Sequence, residues 1–179
     1  MVLVTRLPAG PSRHRVAVWR ELRRTGAVQL GQGTWAVPDL PVFADAVQRV
    51  TELVRRGDGE IVTLDAAGRA DTDTARLEEL FTGARREEWR EFLADCDKFE
   101  AEIDKEIAKG KLTVAELEEE EQSLERLRRW HRDIKLRDVF GAPEAPHAEQ
   151  QLKACSERLE DYTERVFRVA HQPGSEGFM

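Results

Sequence analysis

The feature that most constrains this chain is a change of hydrophobic period partway along it. Up to about residue 66, apolar residues fall in short β-prone runs separated by stretches at helical spacing; from 72 to 171 they recur in steps of three and four with few breaks. Strands place every second residue on one face and helices follow a period of 3.6, so the two parts must fold by different rules. They meet in Ala66-Ala67-Gly68-Arg69-Ala70-Asp71. The reading divides the chain into a domain at 1–68, a helical part at 72–171 and a flexible tail at 172–179.

In the first part, Val2-Leu3-Val4-Thr5-Arg6-Leu7 is rich in β-branched and apolar residues and stops at Pro8, as a strand followed by a turn does. Ser12 reads as the N-cap of a helix whose apolar face would carry Val16, Trp19 and Leu22 until Gly26 stops it. Ala27–Leu30 and Thr34–Val37, joined through Gly31-Gln32-Gly33, read as a hairpin. Val42, Phe43, Ala46, Val47, Val50, Leu53 and Val54 give a second helix, and Glu60–Leu64 a closing strand. The order βαββαβ predicts a ferredoxin-like arrangement, a four-stranded antiparallel sheet with two helices on one face.

The second part predicts three long amphipathic helices forming a bundle, so the fold class is α+β. Leu77, Leu80, Phe81, Ala84, Trp89, Phe92, Cys96, Phe99, Ile103 and Ile107 trace the first stripe to Gly110. An unbroken helix from Ala75 to Lys109 would be about 50 Å long, so a kink near Gly83 is the economical expectation. Thr113 and Glu116 have the spacing of a capping box, and Leu117, Leu124, Leu127, His131 and Ile134 form the next stripe, with Glu118–Glu121 expected in solvent. After the breaker Phe140–Pro143 and Pro146, Leu152, Cys155, Leu159, Tyr162, Val166 and Val169 repeat as a heptad seam.

Charge is unevenly spread. Residues 1–30 carry six arginines against one glutamate, whereas residues 61–179 carry 19 basic and 29 acidic residues. Arg13, Arg15, Arg20, Arg23 and Arg24 lie on one predicted helix, where guanidinium groups can give bidentate contacts to phosphate or another oxyanion. The alternative is a solvated face balanced by the acidic helices of the same chain. Trp19 and Trp35 sit on apolar registers, which favours packing over base stacking.

Chemistry of other kinds has little support. Four histidines are scattered without a metal-binding spacing, Cys96 and Cys155 occupy packing positions, and no nucleophile, phosphate-loop or dinucleotide motif occurs. No enzyme activity, cofactor or metal is expected. Uncharged apolar runs fall far short of the ~20 residues that cross a bilayer. No secretory leader is visible at Met1 either, so a cytoplasmic protein without membrane association is expected.

The residues carry a resemblance. Leu7-Pro8, the run Ser12-Arg13-His14-Arg15-Val16-Ala17-Val18-Trp19-Arg20-Glu21-Leu22-Arg23-Arg24-Thr25-Gly26-Ala27, and Gly33-Thr34-Trp35-Ala36-Val37-Pro38 resemble the N-terminal region of the chromate-resistance regulator ChrB family. Further on, Glu91-Phe92, Cys96, Phe99, Lys111-Leu112-Thr113, Trp130 and Phe140-Gly141-Ala142-Pro143 are similar too. The resemblance implies a transcriptional regulator of a chromate-efflux operon, with Arg13, Arg15, Arg20, Arg23 and Arg24 as the contacts to promoter DNA. It also implies a stand-alone form lacking the family's C-terminal domain. An oxyanion (chromate, sulfate or phosphate) is a second candidate ligand for the same arginines, and a protein-interaction module a third reading. The βαββαβ unit is also similar to a small dimeric domain found in CRISPR-associated proteins and in PaaX-type repressors, which implies a homodimer formed through sheet edges. A nuclease of that type would want a carboxylate at the end of the first strand, where this chain has Thr5-Arg6-Leu7.

Overall fold

The computed structural model describes residues 1–171; the tail expected at 172–179 lies outside the described residues. The elements are β1 (Val2–Arg6), α1 (Ser12–Thr25), β2 (Val28–Gly31), β3 (Thr34–Ala36), α2 (Ala44–Arg56, entered through a short 3₁₀ turn at Pro41–Phe43), β4 (Glu60–Leu64), α3 (Asp71–Lys109), α4 (Val114–Arg137) and α5 (Ala145–Ala170). The fold is α+β. The strands form one antiparallel sheet in the order β2-β3-β1-β4, the order of a ferredoxin-like unit. Leu3 stands opposite Trp35 on one side and Thr63 on the other.

The chain divides into two compact units, one of Met1–Arg85 with Leu136–Ala142, the other of Arg86–Lys135 with the segment from Pro143. In the first, the sheet buries Leu3, Trp35 and Val37 against Val18 and Leu22 of α1 and Phe43, Val50 and Val54 about α2. Fully burying a large apolar side chain contributes roughly 1.5–3 kcal/mol, so this cluster is the main source of the unit's stability. On the far face of the sheet, Val28 and Ala36 pack against Phe81 of α3, whose ring stacks on Phe140 at 5.6 Å. The hairpin turn is Gln32-Gly33. Gly33 has φ +71°, and a Cβ there would lie 2.5 Å from the Thr5 carbonyl oxygen, so the turn closes onto β1 only because the residue is glycine.

The second unit packs Trp89, Phe92, Cys96, Phe99 and Ile103 of α3 with Leu117, Leu124, Leu127, His131 and Ile134 of α4 and Ala148, Cys155, Leu159, Tyr162 and Val166 of α5. Trp89 and Phe92 meet edge to face at 5.8 Å, and His131 lies 5.1 Å from Trp89. The Tyr162 hydroxyl donates to the Lys111 carbonyl at 2.6 Å, satisfying its polar end. Folding brings Cys96 and Cys155 together, and the Cys155 thiol donates to the Cys96 carbonyl at 3.8 Å. The Cys155 side chain beside it, and then burial, push the Cys96 thiol up in pKa.

Several local expectations are corrected. α1 begins at Ser12 itself with Pro11 as its cap residue, so the Ser12 hydroxyl does not cap it. The buried positions of α1 are Val18, Leu22 and Thr25, and Val16 and Trp19 are exposed. α3 is a single 39-residue helix that starts at Asp71 and runs through Gly83 without a break. Pro146 lies within the first turn of α5, where its missing N–H would have had no helical partner anyway. At Thr113 the hydroxyl accepts from the Glu116 N–H at 3.3 Å, while the Glu116 carboxylate pairs with Lys111 at 2.9 Å. Glu120, expected in solvent, is buried, and Val169, expected in the seam, is exposed.

Candidate nucleic-acid interface

The guanidinium-bearing helix is α1, and its setting is fixed at both ends of its inner face. Val18 and Leu22 are held by the sheet core. Gly26, at φ +83°, turns the chain out of the helix, and its N–H bonds back to the Arg23 and Leu22 carbonyls. The buried Arg85 guanidinium donates to the Gly26 carbonyl at 3.3 Å, setting a cation against the negative end of the helix dipole.

With the inner face taken, 100° of rotation per residue distributes the arginines around the rest of the helix. Arg13 and Arg20 point away from the core. Arg24 leans to the side of α2, where it grips Glu21 through two bonds of 2.6 and 2.9 Å while Arg49 of α2 reaches the same carboxylate at 2.9 Å. Arg24, then Arg49, hold Glu21 below the usual carboxylate range despite its partial burial. Arg15, Trp19 and Arg23 line the opposite flank in steps of four, with the Arg23 guanidinium 5.9 Å from the centre of the Trp19 ring.

All five candidate arginines are exposed. Arg24 is in the Glu21 pair, whereas among the described residues no carboxylate pairs with Arg13, Arg15, Arg20 or Arg23. The structure therefore brings four unneutralised guanidinium groups onto one exposed helix and keeps the fifth for internal use.

Two residues outside the expected set join them. Arg6, the last residue of β1, and Gln32, in the hairpin turn, line an open groove of about 440 Å³ together with Arg15 and Trp19; its floor is formed by Val18, Leu22 and Trp35. Arg6 was legible as part of the basic excess but not as a neighbour of α1, because strand ends and hairpin turns meet only through sheet register. Trp19, expected to pack, is instead exposed: it follows Val16 by three, but the buried centre of the helix runs through Val18, Leu22 and Thr25, which leaves Trp19 on the flank.

The four histidines are not brought together in a ligand cluster, and no group of three or more His, Cys, Asp or Glu residues fit for a metal occurs among the described residues. His131 is packed on Trp89 and Phe92, and burial lowers its pKa below the ordinary value. Among the described residues no helix is long and apolar enough to cross a membrane.

Residues 15–173 match the model of the family described as protein ChrB, N-terminal. The protein ChrB of Cupriavidus metallidurans is 27% identical over 95 residues, a match that covers 53% of this chain and 29% of that protein. The match thus spans less than a third of the length of that curated relative. No solved structure matches it. With a family match that runs from α1 into the residues beyond α5, the chain belongs to the ChrB N-terminal family.

Proposed function

We propose that this chain is a non-enzymatic, cytoplasmic regulatory module of a chromate or other oxyanion resistance system, and that it binds promoter DNA by laying the outer face of α1 along the phosphate backbone. The observation that carries this reading is the set of Arg13 and Arg20 on the outer face with Arg15 and Arg23 on the adjoining flank, all exposed and without carboxylate partners among the described residues. Exposed guanidinium groups on a protein of formal charge −7 are a local device, since net charge would repel nucleic acid. Membership in the ChrB family supports the link to chromate resistance.

The test is fluorescence anisotropy with labelled duplex from upstream of the protein's own gene, at 50 and 200 mM salt. Binding that weakens steeply with salt and is lost in a combined Arg13→Ala, Arg20→Ala, Arg23→Ala variant is expected. Absence of binding at the lower salt would remove the proposal.

A homodimer fits the same reading. The edge strands carry exposed apolar residues, Leu30 on β2 and Val62 and Leu64 on β4, which a second copy would cover. Sedimentation at micromolar concentration tests it, and a single monomeric species would refute it. An oxyanion is the second reading, favoured by Arg6 and Arg15 converging on the groove. Unchanged thermal stability in millimolar chromate, sulfate and phosphate would exclude it.

A further inference from the structure

We infer that the groove beside α1 receives one unstacked base of a DNA strand, with the Trp19 indole as its stacking surface. This rests on the DNA-binding reading above and adds to it a mode of contact that phosphate pairing does not supply. Trp19 is 52% exposed in a unit whose core is complete without it, whereas Trp35 beneath the same groove is 6% exposed and Trp89 in the second unit is 1% exposed. The exposed half of the indole is open to a ligand in the groove. Its ring is flanked by Arg23, 5.9 Å from the centroid, which steadies it by cation–π attraction.

The groove's volume of about 440 Å³ falls in the range of ordinary ligand sites, roughly 300–1,000 Å³. Its lining selects the occupant. A small oxyanion would use Arg6 and Arg15 and leave the aromatic wall idle, and an apolar peptide side chain would use the wall and leave the guanidinium groups idle. A base with its two flanking phosphates uses both: the π-face stacks on Trp19, and Arg6 and Arg15, which have no carboxylate partner among the described residues, meet the backbone on either side. The Gln32 amide at the rim offers both donors and an acceptor to a base edge. Because each base has such a face, stacking is tolerant of sequence, and the preference expected is for a base already out of the stack.

The experiment compares three labelled probes by anisotropy at 50 mM salt: the upstream duplex, the same duplex with one bulged thymine, and a twelve-residue oligo(dT). The bulged duplex should bind more tightly than the perfect one. Trp19→Ala should abolish that preference and weaken oligo(dT) binding by about 5- to 150-fold, the range of alanine replacement at base-stacking aromatics. Trp19→Phe should keep most of the preference, and Arg13→Ala should weaken the two duplexes equally. Unchanged circular dichroism of the Trp19 variants excludes misfolding as the cause. If wild type binds both duplexes equally, or if Trp19→Ala weakens them equally, the base site is refuted and the DNA-binding reading stands. If no probe binds, both fall.

Discussion

Trp19 and Trp89 make opposite predictions although each lies on a helix with an apolar residue three positions further on, Leu22 and Phe92. Trp89 is 1% exposed, so Trp89→Ala should cost about 3–5 kcal/mol through lost burial and a residual cavity. Trp19→Ala removes a side chain half in solvent and should change stability by within about 0.5 kcal/mol. Urea denaturation of both variants checks the pair, and a large loss at Trp19 would mean the indole serves packing after all. Gly33 is the other residue whose role is local. With φ +71° and the Thr5 carbonyl against its α-carbon, Gly33→Ala should destabilise the protein by about 1–3 kcal/mol, measured in the same way. Residue-scale inference from the linear chain separates these cases unevenly. Gly33 sits between two β-prone runs, where a turn requires glycine, but Trp19 differs from a core residue only by one step of helical phase.

At the scale of elements, strong periodicity was readable and fine phase was not. The α4 stripe Leu117, Leu124, Leu127, His131 and Ile134 is buried throughout, as its spacing requires. The adjacent Glu118–Glu121 run looked wholly solvated, because four consecutive residues always span both faces of a helix and no pattern says which is turned in. Glu120 is turned in, 8% exposed. Burial first, and then the charges of Glu102 and Glu106, raise its pKa. Its folded value exceeds the unfolded 4.5, so its favourable contribution is present below 4.5 and is lost as pH rises through the folded value. Glu120→Gln should therefore be more stable than wild type at pH 7, with a gain that shrinks toward pH 4.5. His131 has the opposite linkage. Burial lowers it, so the unfolded chain takes up the proton first and stability falls on acidification below about 6.5. Chemical denaturation across pH 4–7 of wild type, Glu120→Gln and His131→Phe distinguishes the two. A Glu120→Gln variant less stable at pH 7 would show that the carboxylate is needed in its charged form.

For the whole molecule, the formal charge of −7 hides a division. The unit of Met1–Arg85 with Leu136–Ala142 holds 13 basic and 12 acidic residues, and the remaining chain holds 15 and 23. The basic excess of the N-terminal helix was visible in the sequence, and so was the i,i+3 spacing that pairs Arg24 with Glu21; that Arg49 arrives from α2 on the same carboxylate was hidden, since it depends on how the two helices pack. The number of unpaired guanidinium groups then sets a measurable quantity. Each neutralised phosphate contributes about −0.9 to the slope of log affinity against log salt, so four contacts from Arg13, Arg15, Arg20 and Arg23 give about −3.6 per protomer and roughly −7 for a dimer with both helices engaged. Arg20→Ala should make the slope shallower by about 0.9 per protomer, whereas Arg24→Ala should leave it unchanged because that guanidinium is committed to Glu21. A wild-type slope near −1 would mean that α1 does not lie along the backbone. A slope near −7 from a species that sediments as a monomer would place further phosphate contacts outside this helix, with Arg6 at the end of β1 and Arg55 of α2 the next exposed cations to replace.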